Sequence, residues 1–86
     1  VNPTRLCYLI SSSKGFLLGF DYNEPEWGCA AHLALERQYA WLDLAVAKQK
    51  LKAAQKLLPE LTLSLVLLEF VKTDGKWEPV TQRGMA

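Results

Sequence analysis

AAHLALERQYAWLDLAVAKQKLKAAQKLL, residues 30–58, is the stretch on which the fold turns. It contains neither Gly nor Pro, so composition alone allows one long helix. The apolar spacing divides it. Leu44, Ala47, Leu51, Ala54 and Leu58 recur at i, i+3, i+7, i+10 and i+14, a single helical face. Followed backwards, that face reaches Ala40 and then Arg37, where it fails. Over 33–41, Leu33, Leu35, Arg37, Tyr39 and Trp41 alternate instead, and the closing aromatics favour a strand. Asp43 stands before the helical stripe as an N-cap, and Pro59 stops it. The expectation is a strand over 35–41 and a helix over 44–58. A helix beginning near Ala30 is the structural alternative.

On the N-terminal side, residues 5–12 alternate with Leu6, Tyr8 and Ile10 on one face. Ser13-Lys14-Gly15 supplies a turn, and residues 16–21 return, making a hairpin. On the C-terminal side, 61–72 reads as a long strand. Asp74-Gly75 marks a tight turn, residues 77–80 return with Pro79 suited to an edge, and 81–86 are expected to fray. The order ββ(β)αββ describes one α+β domain over 1–86, a mostly antiparallel sheet with one main helix on a face. Of 86 residues, 50% are apolar and 22% charged, which suits an ordered globule. The net charge of +1 gives no whole-molecule field for nucleic acid or membrane. No apolar run is long enough to span a bilayer. With no export signal in view, Cys7 and Cys29 are read as reduced thiols of a cytoplasmic protein.

GFDYNEPEWG, residues 19–28, is the stretch richest in chemistry. Asp21, Glu24 and Glu26 offer carboxylates, but a metal or acid–base site needs fixed separations and a supporting shell. A Pro-containing loop supplies neither. Trp27 is expected to fold back over the end of the core. Asp21, Tyr22, Glu24, Glu26 and Trp27 together suit a protein partner better than catalysis. His32 has no second ligand at metal spacing, so no metal is expected. Ser11-Ser12-Ser13 has one His in the chain to serve it, and neither a P-loop nor a dinucleotide fingerprint occurs. No cofactor and no enzymatic activity are expected. Lys48, Lys52 and Lys56 fall at i, i+4 and i+8 on the helix, with Gln55 beside them on an outward face. Phosphate contact there is the alternative reading, weakened by the absence of Arg and interleaved aromatics.

The sheet reads as apolar on both sides. Leu63, Leu65 and Leu67 oppose Val66, Leu68 and Phe70 in the long strand, and Leu9 and Leu17 oppose Ile10, Phe16 and Leu18 in the hairpin. One helix covers one face. The other, with Leu68 and Phe70, is expected to form a homodimer or partner surface unless segment 22–34 wraps over it.

YLISSSKGFLLGFDYNEPEW followed by YAWLDLAVAKQKL resembles a pattern of small uncharacterised proteins of bacteriophages and other mobile elements. Trp27, Trp41, Asp43 and Ala47 hold the matching positions; the helix start departs, with Leu44-Ala45-Val46 where acids are usual. The resemblance, over about residues 8–70, implies a small accessory protein, of a kind often without a known role and of which some are expected to bind and modulate host proteins, and it transfers no catalytic residue. Three lysines neutralise about three phosphates, too few for tight binding at physiological salt. The expected outcome is no retardation of DNA or RNA at low micromolar protein in about 150 mM salt. Tight binding lost in Lys52→Glu would reverse that.

Overall fold

The computed structural model describes residues 2–80; the expected frayed tail, 81–86, lies outside the described residues. Strands β1 (Thr4–Ser12), β2 (Gly15–Asp21) and β3 (Glu24–Gly28) come first. They are followed by helix α1 (Ala31–Glu36), the two-residue strand β4 (Ala40–Trp41), helix α2 (Leu44–Leu57), β5 (Ser64–Thr73) and β6 (Lys76–Pro79). The strands form one antiparallel sheet in the order β3-β2-β1-β5-β6, with β4 also paired to β1. This is the α+β architecture read from the sequence.

Local chemistry explains each corner. Tyr22 and Asn23 both take left-handed φ values, 51° and 67°, as do Asp74 and Gly75 at 53° and 79°. Two such residues between paired strands make the tight turn whose twist matches a hairpin. The stretch 24–28 is therefore a strand, where the sequence reading had a loop. α2 starts where expected, with the Asp43 carboxylate accepting from the Ala45 amide at 2.8 Å. Its end is built by Gln55. The side-chain amide donates to the Leu58 and Leu61 carbonyls at 2.9 and 2.7 Å and accepts from the Leu63 amide at 3.4 Å. Gln55 is thus turned inward, not outward beside the lysines.

The strand expected over 35–41 is corrected by the structure. Residues 31–36 are helical, and only Ala40–Trp41 pair as strand. Ala31 and Ala34, three apart, supply a helical face that lies buried. The helix ends in a closed C-terminal motif. Tyr39 donates its amide to the Ala34 carbonyl at 2.7 Å and Gln38 to that of Leu35 at 3.1 Å, with Gln38 left-handed at φ 63°. Glycine normally holds that position. A glutamine there conceals the helix end from a sequence reading.

Two cores lie on opposite faces of the sheet. Cys7, Leu9, Leu18 and Phe70 pack with Ala31 and Ala34 of α1. Ile10 and Leu17 pack with Ala54 of α2, with its C-cap Leu58 and with Leu63. Leu9 and Leu17 therefore sit on opposite faces, not the same one. A register shift between Leu17 and Gly19 bulges β2, so Leu17 and Phe20 both reach the α2 core while Leu18 reaches the other. Tyr39 touches both cores. Its ring lies against Gly19 and meets Phe20 and Trp41 edge-on at 6.4 and 5.4 Å between centroids. The face expected to be open is closed by α1, and Phe70 beneath it has no exposure.

Each hydrogen bond of this kind contributes about 1 kcal/mol. Gln55→Ala should thus lower unfolding free energy by about 2 kcal/mol, whereas Lys52→Ala on the exposed face of the same helix should change it by less than about 0.5 kcal/mol. Urea unfolding followed by circular dichroism checks this. Equal, small effects would mean that Gln55 does not hold the α2–β5 connection.

Candidate functional site

The residues singled out in the sequence are dispersed. Asp21 and Glu24 face each other across the β2–β3 turn, both exposed, and Tyr22 at the tip is 95% exposed. Glu26 is occupied elsewhere: its carboxylate accepts from Arg37 at 2.6 Å, tying β3 to the end of α1. Both partners are largely solvated, so the pair contributes at most about 1 kcal/mol. No group of three His, Cys, Asp or Glu side chains converges at metal distance among the described residues. Trp27 lies half-buried opposite Leu17 and packs on the α2 core, so it closes the sheet edge and does not stand out as a contact residue. Phe70 is buried and Leu68 half-buried under the α1 face. Neither offers the surface expected of it. Lys48, Lys52 and Lys56 are all exposed along α2.

The structure brings together a different set. A groove of about 360 Å³ opens where β4 leaves β1. β1 contributes Arg5 and Cys7, α1 contributes Leu35, and β4 contributes Ala40 and Trp41. Leu42 and Asp43 follow, and Val46 comes from the first turn of α2. The cause is topological. β4 pairs with β1 only through Tyr8–Trp41 and Leu9–Ala40, because Asp43 then caps α2 and turns the chain away. β2 pairs with β1 only at Ser11 and Ser12. Nothing among the described residues continues the ladder beside Thr4–Cys7.

The direction of the unpaired groups follows from hydrogen-bond alternation. The Lys72 amide donates to the Pro3 carbonyl at 2.9 Å, so the odd-numbered residues of β1 bond to β5. The even-numbered ones point the other way, and the N–H and C=O of Leu6 are aimed at the side where β4 stops. Leu6 is 55% exposed, Leu42 64% and Val46 36%. An unpaired strand edge and an apolar groove thus lie together, with Leu42 and Val46 exposed along the groove, while the Leu6 side chain points to the other face of the sheet from the groove-lining Arg5 and Cys7. Arg5 and Asp43 place one charge of each sign at the rim, and the Arg5 guanidinium also stacks 4.6 Å above the Trp77 ring.

Cys7 forms part of the groove wall yet is only 1% exposed. Burial pushes its thiol up from the ordinary value, more than the neighbouring Arg5 charge lowers it. The thiol therefore stays protonated at neutral pH and is a poor nucleophile. His32, half-buried on α1, lies by a separate cleft of about 180 Å³ with Glu36 and Lys76, which Cys7 does not line.

The sequence held one overlooked signal for this groove. Leu42 and Val46 are apolar yet fall off the α2 stripe, so neither could be buried with Ala47 and Ala54. No protein-family model, curated protein or solved structure matches the chain. No helix among the described residues is long and apolar enough to cross a membrane.

The two thiols should separate in reactivity, since Cys29 is exposed and Cys7 buried. A charged disulfide reagent added to the native protein at pH 8 should modify one thiol quickly, and the second only on unfolding. Rapid modification of both would place Cys7 within reach of the groove and reopen thiol chemistry.

Proposed function

We propose that the protein is a non-enzymatic, cytoplasmic protein-binding module that captures an extended apolar segment of its partner in the groove beside β1. The observation that carries this reading is the coincidence of the unpaired Leu6 backbone with exposed Leu42 and Val46. An edge offering an N–H and a C=O from the same residue is complemented by another polypeptide strand, which supplies both at ladder spacing. The side chains of such a strand alternate, and those on one side enter the groove. The resemblance of the sequence to small accessory proteins of bacteriophages and mobile elements supports the same kind of role. The acidic hairpin tip, with Asp21, Tyr22 and Glu24, is a secondary contact surface at the far end of β2.

Peptides selected from a random display library provide the test. Bound peptide should shift the amide resonances of residues 4–7 and 41–46, and Leu42→Asp or Val46→Asp should weaken binding at least about tenfold. Both side chains are exposed, so the fold survives either change. Binders that map to Lys48, Lys52 and Lys56, or to the hairpin tip, would refute the groove as the docking site. So would a selection that yields no binder.

A further inference from the structure

A second strand edge is left unpaired by the described residues, and its character differs from the others. β5 pairs with β1 over residues 64–71, but β6 covers its outer side only over Phe70–Thr73. The Val80 amide adds one bond, to the Glu69 carbonyl at 2.8 Å. By the same alternation, odd-numbered residues of β5 point outward, so Leu65 and Leu67 aim their N–H and C=O groups away from β1. Among the described residues nothing pairs with them. The window is bounded at both ends: by Val80 at Glu69, and by Leu63, whose amide is held by Gln55.

The other edges carry the features that discourage pairing. β3 presents Glu24, Pro25 and Glu26, and β6 presents Lys76, Glu78 and Pro79. Ser64-Leu65-Val66-Leu67-Leu68 has no charge, no proline and no bulge, and Leu67 is 50% exposed. Such an edge is a template for pairing. We infer that it pairs with the same edge of a second copy, as an antiparallel two-fold dimer centred on Val66.

The register is determined by the window. A two-fold axis at Val66 sets Leu65 of one copy opposite Leu67 of the other, and the reverse. These are the residues with outward backbone groups, so each pair exchanges reciprocal hydrogen bonds. On the α2 side Leu65 and Leu67 meet their counterparts, and on the α1 side Val66 meets Val66. The nearest like charges on β5 itself, the two Glu69 carboxylates, stand six residues apart along the strand, about 20 Å and beyond the screening length at physiological salt. The self-contact is therefore apolar and free of repulsion, as a two-fold interface requires. Five-residue edges bury less than the ~1,200 Å² of a standard interface. The dimer is accordingly weak and depends on concentration. It uses the edge of β5, away from the groove beside β1, so it stands or falls independently of the partner site.

Sedimentation equilibrium on the full chain from about 5 to 500 μM provides the test, bracketing the range expected of a small interface. The expected result is a monomer–dimer equilibrium that Leu67→Lys shifts at least about tenfold toward monomer, with an unchanged far-ultraviolet spectrum. Leu67 is exposed, so the fold tolerates the change. In a Cys29→Ser background, Val66→Cys should form an intermolecular disulfide on mild oxidation, because directly opposed residues of this type lie about 4.5 Å apart at Cα. Amide exchange at Leu65 and Leu67 should slow as concentration rises, a readout that needs no variant. A full chain monomeric at 500 μM, or a dimer indifferent to Leu67→Lys without cross-linking at Val66→Cys, would overturn the proposal. So would dimerisation only of a chain ending at Val80, which would assign the edge to the residues that follow.

Discussion

The β1–β5 ladder is the constraint from which the rest of the structure follows. It pairs residues 4–11 with 64–71 and places large apolar side chains on both of its faces. A sheet apolar on one face needs one covering layer; this one needs two. α2 supplies one with Ala54 and its C-cap Leu58, and the short α1 supplies the other with Ala31 and Ala34. Alanines on both helices allow close approach to the sheet, while Phe70 and Leu9 fill the space between. Tyr39, reaching both cores, marks the place where the chain crosses from one layer to the other.

Neither layer is long enough to cover the whole ladder. Six helical residues span about 9 Å and fourteen about 21 Å, against a ten-residue strand of about 33 Å. The shortfall leaves Leu6 and Leu67 exposed on the sheet, and beside them the short pairings of β4 with β1 and of β6 with β5 leave backbone groups unpaired among the described residues. The two surfaces to which we assign binding are therefore direct consequences of how the core is closed. Asp21, Glu24 and Glu26 are spread along the β2–β3 hairpin, Glu26 is engaged by Arg37, and the buried Cys7 thiol is held protonated.

Much of the fold was legible in the sequence, wherever a pattern met its own terminator. The α2 stripe ran between Asp43 and Pro59, and Asp74-Gly75 announced the last hairpin. α1 was not legible, because Leu33 and Leu35 alternate like a strand and the left-handed position that ends the helix holds Gln38 where Gly is usual. Missing α1 left one sheet face bare, and that promoted Leu68 and Phe70 to surface residues. β3 was hidden by Pro25 and by Glu24 and Glu26, which suit an edge strand as well as a loop. The groove was legible only as an anomaly, two apolar residues outside the helical stripe. Its open backbone edge depends on where β2 and β4 part from β1, and no local pattern encodes that.

Residue-resolved hydrogen exchange on the native protein at low micromolar concentration tests the central claim most directly. Amides of Cys7 and Leu9 on β1 and of Val66, Leu68 and Phe70 on β5 lie between the two paired strands, under both helices. They should exchange only through global unfolding, while the neighbouring Leu6 amide, aimed at the open edge, should exchange orders of magnitude faster. Ladder amides exchanging faster than those of α2, or Leu6 protected as strongly as Leu9, would contradict a double-faced β1–β5 core with an open edge beside it.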